Sequence, residues 1–193
     1  MTIVGHGDLA SVIKDRPDRT YFASGVSNSQ ETRESEYQRE VDLLAVQDRS
    51  KRLVYFSSLS IFYAHTRYAQ HKREMEDFVR WWFPHYTIIR MGNIDWGVNP
   101  NTIINYLRDR IQKGKPHIIQ DVYRYVVGKE EFLYWIDLIP PWNCEMTIPG
   151  RRMKVSEIVE MIKKKAEEED WKISLDALPI YIKDEEVTWR KSA

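Results

Sequence analysis

Short apolar runs alternate along the chain with longer segments in which apolar residues recur every three or four positions. Such runs are typical of buried strands, and the longer period is typical of amphipathic helices. The runs predict strands at 2–4, 20–23, 53–56, 86–90 and 145–148, with one or two more within 117–127. The periodic segments predict helices at 29–48, 68–82, 102–112, 129–138 and 154–169. This order predicts an α/β fold with a mostly parallel sheet.

Small or polar residues follow each of the first four predicted strands. Ligands of open α/β sheets bind at the carboxyl ends of the strands, so these residues are candidates for a binding site. Gly5 to Ala10, with the sequence Gly-His-Gly-Asp-Leu-Ala, lead into a short predicted helix from Ala10 to Lys14. Glycines there let the backbone approach a pyrophosphate at the N-terminus of the helix. On its own this G-x-G-x-x-A motif is weak.

Tyr68 and Lys72 form the most informative pair of side chains. They are four residues apart on a predicted helix, so they lie on one helix face. A nearby cation favours the phenolate of a tyrosine, which is otherwise a poor base at neutral pH. Ser58, at the end of the preceding strand, can hold a substrate oxygen while the phenol moves a proton. Tyr and Lys at this spacing also occur by chance on many helices, so the pair is interpreted with its context.

The composition predicts one compact domain and excludes some classes of protein. The 193 residues carry 29 basic and 29 acidic side chains, and this balance argues against a general role on nucleic acids or membrane surfaces. No apolar run approaches the ~20 residues that span a bilayer, and no signal-peptide pattern opens the chain. The single cysteine, Cys144, excludes an internal disulfide framework and predicts a reducing, cytoplasmic location.

Other candidate residues receive simpler interpretations. The histidines show no metal-ligand spacing, so no metal site is predicted. His6 is interpreted as a tolerated loop residue, with a phosphate contact as the alternative, and His71 is expected to point away from Lys72. Trp96 is a candidate for lining a sugar pocket, because an apolar ring face suits sugar C–H groups. The charged residues of the 29–48 helix are expected to face solvent: Arg33, Glu34, Glu36, Arg39 and Glu40.

Taken together, these segments resemble the extended short-chain dehydrogenase/reductases, the NAD-dependent epimerase/dehydratase group that acts mainly on nucleotide-sugars. The matching segments follow the family's order from the N-terminus to about residue 165. They are Gly5–Ala10, Ala23–Gly25, Val54–Ser58, Tyr68–Lys72 with Glu74 and Glu76, Ile89–Asn93 and Met153–Ile158. The block of Ser58, Tyr68 and Lys72 is the specific part of the resemblance.

The resemblance implies a role for each matching position. Ser58 would polarise the substrate, Tyr68 would be the general acid/base, and Lys72 would hold the nicotinamide ribose and favour the Tyr68 phenolate. Asn93 would face a sugar or nucleotide-sugar substrate, beside Trp96. NAD or NADP would lie along Gly5, His6, Gly7, Asp8, Leu9, Ala23, Ser24, Gly25, Ser57, Tyr68, Lys72, Met91 and Gly92.

The sequence departs from the family pattern before the strand at 20–23. That strand leads into Ala23-Ser24-Gly25 and resembles the family's fourth strand, so the second and third strands are missing. The implied fold is a reduced Rossmann-like, doubly wound domain over residues 1–193, with a small substrate-binding part from about residue 95 onward. The acidic residue that holds the adenine ribose is lost with the second strand. Dinucleotide binding is therefore expected to be weak. Arg16 and Arg19 are the nearest substitutes for the clamp, but both are interpreted first as ordinary surface arginines.

Two functional classes follow from these observations. The first is an NAD(P)-dependent enzyme, similar to the epimerases and dehydratases, and the second is a catalytically degenerate member of the fold that binds a nucleotide or a protein. Retention of Ser58, Tyr68 and Lys72 favours the enzyme, and loss of the adenine-ribose clamp favours the degenerate binder. The helices at 29–48 and 64–83 match those through which the family often dimerises, which predicts a homodimer.

Overall fold

The computed structural model describes residues 2–115, 118–168 and 180–182, with the backbone alone described at 118–119 and 180–182. In chain order the strands are β1 (Ile3–Val4), β2 (Arg19–Phe22), β3 (Arg52–Ser58), β4 (Tyr86–Met91), β5 (Asn93–Ile94), β6 (Ile118–Gln120), β7 (Tyr123–Val127), β8 (Cys144–Ile148), β9 (Arg151–Lys154) and β10 (Ile180–Ile182). The helices are α1 (Glu34–Ala45), α2 (Arg67–Trp82), α3 (Ile103–Gln112), α4 (Lys129–Asp137) and α5 (Val155–Glu168), with a short 3₁₀ helix at Leu59–Phe62. His117 and Glu169, at the ends of two predicted elements, lie outside the described residues.

Five strands form one parallel sheet in the spatial order β1, β2, β3, β4 and β8. β1 lies at the edge of this sheet, directly beside β2, because no strand or helix separates them along the chain. A smaller sheet joins β5, β7 and β9, and a third pairs β6 with β10. The predicted absence of the second and third strands of the complete fold is therefore confirmed.

The central strand β3 is buried on both faces, because alternate residues of its apolar run point to opposite sides. Leu53 and Tyr55 pack against Leu44 of α1 and Met75 and Val79 of α2. The alternate residues Val54 and Phe56 face α4 and cluster with Phe132 and Ile136. Helices cover both faces of a parallel sheet, so the predicted doubly wound α/β fold is confirmed.

A separate apolar cluster joins α3 and α5 to β7 and β9. Leu107, Val126 and Ile158 are buried at its centre. Of the helices in the described part of the chain, none combines the length and apolarity needed to cross a membrane.

Helix α1 is shorter than the prediction of 29–48. Residues 29 and 30 form a turn and residues 31–33 are irregular, because side chains bond nearby N–H groups: Asn28 Oδ1 accepts from Gln30, and Glu31 Oε1 accepts from Thr32 and Arg33. Local bonds of this kind compete with helix formation. The helix therefore begins at Glu34, five residues later than predicted.

The helix predicted at Ala10 to Lys14 is absent. A single turn takes its place, closed by the bond from Ser11 N–H to the Gly7 carbonyl. A helix this short gains few hydrogen bonds for the residues it must order. The phosphate-binding helix dipole expected behind the glycine loop is correspondingly missing.

Candidate functional site

Parallel strands bring their carboxyl ends to one edge of the main sheet, and four predicted segments meet there. The glycine loop at 5–10 follows β1, residues 23–25 follow β2, Ser57 and Ser58 end β3, and Met91 ends β4 just before Gly92 and Asn93. Gly5 has φ +115°, and a Cβ there would lie 2.6 Å from the Ala23 carbonyl oxygen. Glycine is therefore required where the first loop packs against the second.

Helix α2 brings Tyr68 and Lys72 to this edge. Thr66 caps the helix by accepting the N–H of Ala69 at 3.2 Å, which fixes where its first turn begins. Lys72 Nζ lies 5.8 Å from the centre of the half-buried Tyr68 ring, within the range of a cation–π contact. The two residues that the i,i+4 spacing placed on one face are therefore neighbours in space.

The Lys72 ammonium has a buried counter-ion, Glu40 of α1. Lys72 is 2% exposed and Glu40 is 0% exposed. Lys72 Nζ donates to Glu40 Oε1 at 2.9 Å and to the Tyr55 hydroxyl at 3.0 Å. Glu40 also accepts from the Tyr55 hydroxyl at 2.7 Å and from Val26 N–H at 2.6 Å, and its Oε2 lies 3.0 Å from His71 Nε2. We call these five residues the Glu40 cluster.

Two sequence predictions are wrong at the Glu40 cluster. Glu40 was expected to face solvent, and His71 was expected to point away from Lys72. Both are buried, because α1 and α2 pack their inner faces together and His71 meets the same carboxylate as Lys72. One signal could have revealed Glu40: it lies three residues after buried Tyr37 and four before buried Leu44, on the apolar stripe of the helix.

The charges of the Glu40 cluster stabilise one another. Burial by itself would raise the pKa of Glu40, but the Lys72 ammonium and the hydrogen bonds from His71 and Tyr55 hold it well below its usual range. Burial and the adjacent Glu40 carboxylate raise the pKa of the Tyr55 phenol well above its usual value. The cluster therefore contains an ionised carboxylate, an ammonium and a neutral phenol.

The serines at the end of β3 have different surroundings. Ser58 Oγ accepts the N–H of Ser60 at 3.2 Å and caps the 3₁₀ helix. Ser57 Oγ is buried without a hydrogen-bond partner among the described residues. Within the same residues, no hydrogen bond joins Ser58 to Tyr68, so the Ser-Tyr-Lys relay stays a prediction.

Gly25 is the point where the loop after β2 covers the Glu40 cluster. A Cβ at this position would lie 2.7 Å from Lys72 Nζ and 2.8 Å from Glu40 Oε1. Both atoms end flexible side chains, but the buried ion pair fixes them. Only glycine lets the backbone pass this close to the ammonium.

Replacing Gly25 by alanine is expected to lower the free energy of unfolding by about 1–3 kcal/mol, since the methyl group overpacks the ion pair. Urea denaturation measures the change. Gly7→Ala is the matched control, because a Cβ at Gly7 would meet no atom within 4 Å. Equal effects of the two substitutions would contradict the close packing of Gly25 on Lys72.

The remaining predicted cofactor residues lie in three kinds of surroundings. Met91 is buried in the core, and a Cβ at Gly92 would meet the carbonyl oxygens of Pro149 and Tyr125, so this glycine lets three backbones pack together. Of the glycine loop, His6 and Gly7 are exposed, whereas Leu9 packs against the α4 side of the core. Around the loop after β2, Ala23 joins the same core and the Ser24 carbonyl accepts from Arg39 at 3.3 Å.

The two predicted substrate residues are tied to neighbouring elements. Asn93 Nδ2 donates to the Tyr125 carbonyl at 3.1 Å, which fixes β5 beside β7. The Trp96 ring lies 5.3 Å from that of Phe132, and its Nε1 donates to the Asp8 carbonyl at 3.3 Å. Trp96 therefore lies beside the glycine loop, and its predicted contact with a sugar stays a prediction.

These surroundings fit the nicotinamide half of a dinucleotide better than the adenosine half. Near the predicted nicotinamide position, Ser57 supplies a buried hydroxyl that has no partner in the described part of the chain, and Lys72 supplies a cation. Near the adenosine position β1 is the edge of the sheet, and the two predicted substitutes for the clamp have other partners. Arg16 pairs with Asp137 and Arg19 pairs with Asp18, each at 2.6 Å.

The fold is similar to solved structures of sugar-nucleotide enzymes. UDP-glucose 4-epimerase from Thermotoga maritima, solved with UDP-glucose, matches with a TM-score of 0.64 and 16% identity over 86% of this chain and 64% of that chain. UDP-N-acetylglucosamine 4-epimerase from Methanobrevibacter ruminantium matches with a TM-score of 0.61 and 15% identity, over 91% of this chain and 66% of that chain. WbmG from Bordetella bronchiseptica, solved with NAD and UDP, matches with a TM-score of 0.62 and 14% identity, over 87% of this chain and 61% of that chain.

This chain spans 61–66% of the length of these three structures. No protein-family model and no curated protein matches its sequence. At identities of 14–16% the comparison establishes the fold alone. The resemblance to the NAD-dependent epimerase/dehydratase group is thus confirmed at the level of the fold, which this chain has in truncated form.

Proposed function

We propose that this protein binds a nicotinamide dinucleotide at the carboxyl edge of its parallel sheet and acts on a hydroxyl or ketone of a sugar or nucleotide-sugar. One observation carries the proposal: α2 holds Lys72 Nζ 5.8 Å from the Tyr68 ring, at the edge where β3 ends in Ser57 and Ser58. Structures of the same fold solved with NAD and UDP, and with UDP-glucose, support this class of ligand.

In this proposal each side chain has one task. Tyr68 moves the proton of the substrate hydroxyl, and Ser58 holds the substrate oxygen. Lys72 supplies positive charge beside the phenol and the cofactor ribose. Glu40 and Tyr55 hold the ammonium in place before any ligand arrives, so little of its freedom is lost on binding. The dinucleotide, when bound, supplies the hydride chemistry.

The remaining contacts divide between the two ligands. The backbone of the glycine loop, Gly5 to Ala10, would face the phosphates, and residues 23–25 would lie along the cofactor. Asn93 and Trp96 would face the sugar. Three further predictions remain untested: the homodimer formed through α1 and α2, the cytoplasmic location, and the single domain with its substrate-binding part beyond residue 95.

A second candidate function is a catalytically degenerate binder of a nucleotide or a protein. Two observations favour it. The positive charge of Lys72 is already paired with the buried Glu40 carboxylate, and the sheet lacks the strand that would carry the adenine-ribose clamp. Such a protein would retain the sheet edge without the reaction.

An activity assay separates the two candidates. The protein is incubated with UDP-glucose or dTDP-glucose and NAD⁺, while chromatography follows the sugar nucleotides and absorbance follows NADH. We expect conversion that requires added dinucleotide. Dinucleotide binding without conversion of either sugar nucleotide would favour the degenerate binder.

A further inference from the structure

The side chain of Asp8, in the middle of the glycine loop, is bonded to a second loop of the candidate site. Asp8 Oδ1 accepts the N–H of Val98 at 3.0 Å, and Oδ2 accepts the N–H of Asn99 at 3.1 Å. The Trp96 indole donates to the Asp8 carbonyl at 3.3 Å. We call residues 96–99 the strap, because these three bonds fasten it to the glycine loop.

Gly97 lets the strap come this close. Its φ of +87° lies in the left-handed region, and a Cβ there would overlap the Asp8 carboxylate. The strap is also fixed at its two ends. Asn99 Nδ2 donates to Ser27 Oγ at 3.0 Å, and the Trp96 ring packs on Phe132. The strap is therefore held by the glycine loop, the core and the loop after β2.

The Asp8 carboxylate takes the place that an anionic ligand would have at these N–H groups. Backbone N–H groups that converge in a turn form a concavity that binds anions. The glycine loop is also the segment proposed to face the dinucleotide phosphates. A carboxylate in the middle of that loop repels phosphate charge, and the closed strap leaves the loop less room.

We propose that Asp8 is a latch, which holds the strap closed on the glycine loop and thereby keeps the affinity for a dinucleotide low. This inference rests on the proposed function and names how its site is regulated. A dinucleotide enters when Asp8 releases Val98 and Asn99. Release also removes two of the bonds that hold the loop carrying Trp96, so the latch couples the cofactor side of the site to the substrate side.

Two substitutions test the latch in the full chain. Asp8→Ala removes both acceptors, and Asp8→Asn replaces one acceptor with an amide N–H₂ group. Asp15→Asn is the matched control, because Asp15 is exposed and its substitution changes the net charge equally. Amide hydrogen exchange at Val98 and Asn99 reports the latch without any ligand, and NADH fluorescence reports affinity.

We expect exchange at Val98 and Asn99 to become at least ~10-fold faster in Asp8→Ala and to be unchanged in Asp15→Asn. NADH affinity should rise about 10-fold in both Asp8 variants, which corresponds to about 1.4 kcal/mol. Unchanged exchange at both amides in Asp8→Ala would overturn the latch, whatever NADH affinity is measured. Unchanged or lower NADH affinity would overturn its effect on the site. If neither wild type nor any variant binds NADH, the proposed function fails together with the effect on affinity, and exchange alone decides whether the latch exists.

Discussion

Replacing Glu40 by alanine is expected to lower the free energy of unfolding by about 3–5 kcal/mol, because the change leaves the Lys72 ammonium buried without its counter-ion. Among the described residues, Lys72 Nζ would keep only the Tyr55 hydroxyl as an acceptor. The Val26 N–H would lose its acceptor as well. Urea denaturation followed by circular dichroism measures the loss.

Two further variants show whether the ion pair causes this effect. Glu36→Ala on the same helix is the matched control, since Glu36 pairs with Arg39 near the surface and should contribute less than ~1 kcal/mol. Glu40→Gln combined with Lys72→Met removes both charges and should recover most of the lost stability. Equal losses in Glu40→Ala and Glu36→Ala would contradict the buried pair.

Replacing Tyr68 by phenylalanine is expected to lower kcat for sugar conversion by about 10²–10⁴-fold, the usual contribution of a positioned acid/base. Phenylalanine keeps the ring beside Lys72 and removes only the hydroxyl. The loss should therefore appear in kcat, while dinucleotide affinity changes little. The assay is the dinucleotide-dependent conversion of the sugar nucleotide.

The matched control for this substitution is Tyr63→Phe, because Tyr63 is exposed and follows the 3₁₀ helix after Ser58. Its kcat should equal that of the wild type. Conversion at the wild-type rate by Tyr68→Phe would remove Tyr68 from the proposed reaction.

The main sheet could be predicted from the sequence because its strands are short segments rich in apolar residues, and the central strand contains a continuous apolar run. Leu53 to Phe56 bury both faces, and a run of this kind has few alternatives to a central strand. Parallel strands place their carboxyl ends at one edge of the sheet. This alone predicts that the glycine loop, Gly25 and the two serines meet there. The truncation was also predictable, since the strand leading into Gly25 comes too early in the chain.

The Glu40 cluster could not be predicted with the same ease. Its members come from the loop after β2, α1, β3 and α2. Bonded pairs within it are up to 32 residues apart, and their contacts depend on how two helices pack. Glu40 follows Arg39 in a strongly charged segment, which favours an exposed surface. Only the positions of Tyr37 and Leu44 on the same stripe indicated burial.

The Asp8 latch was missed for a related reason. The G-x-G-x-x-A pattern indicates only that the backbone can come close to a ligand. It does not predict the contacts of Asp8, the fourth residue of the loop. Asp8 meets its partners 90 and 91 residues further along the chain. The pattern also suggested a helix behind the loop, whereas the segment is too short to continue beyond one turn.

The most direct measurement of the central claim is calorimetric titration of the full chain with NAD⁺, NADH, NADP⁺ and NADPH. The proposed nicotinamide side is better formed than the proposed adenosine side, so we expect dissociation constants on the order of 0.1–1 mM that differ little between NAD and NADP forms. The Glu40→Gln, Lys72→Met variant, which lacks the ammonium, should bind more weakly. Absence of binding to all four dinucleotides, or binding unchanged in that variant, would contradict a dinucleotide site built around Lys72.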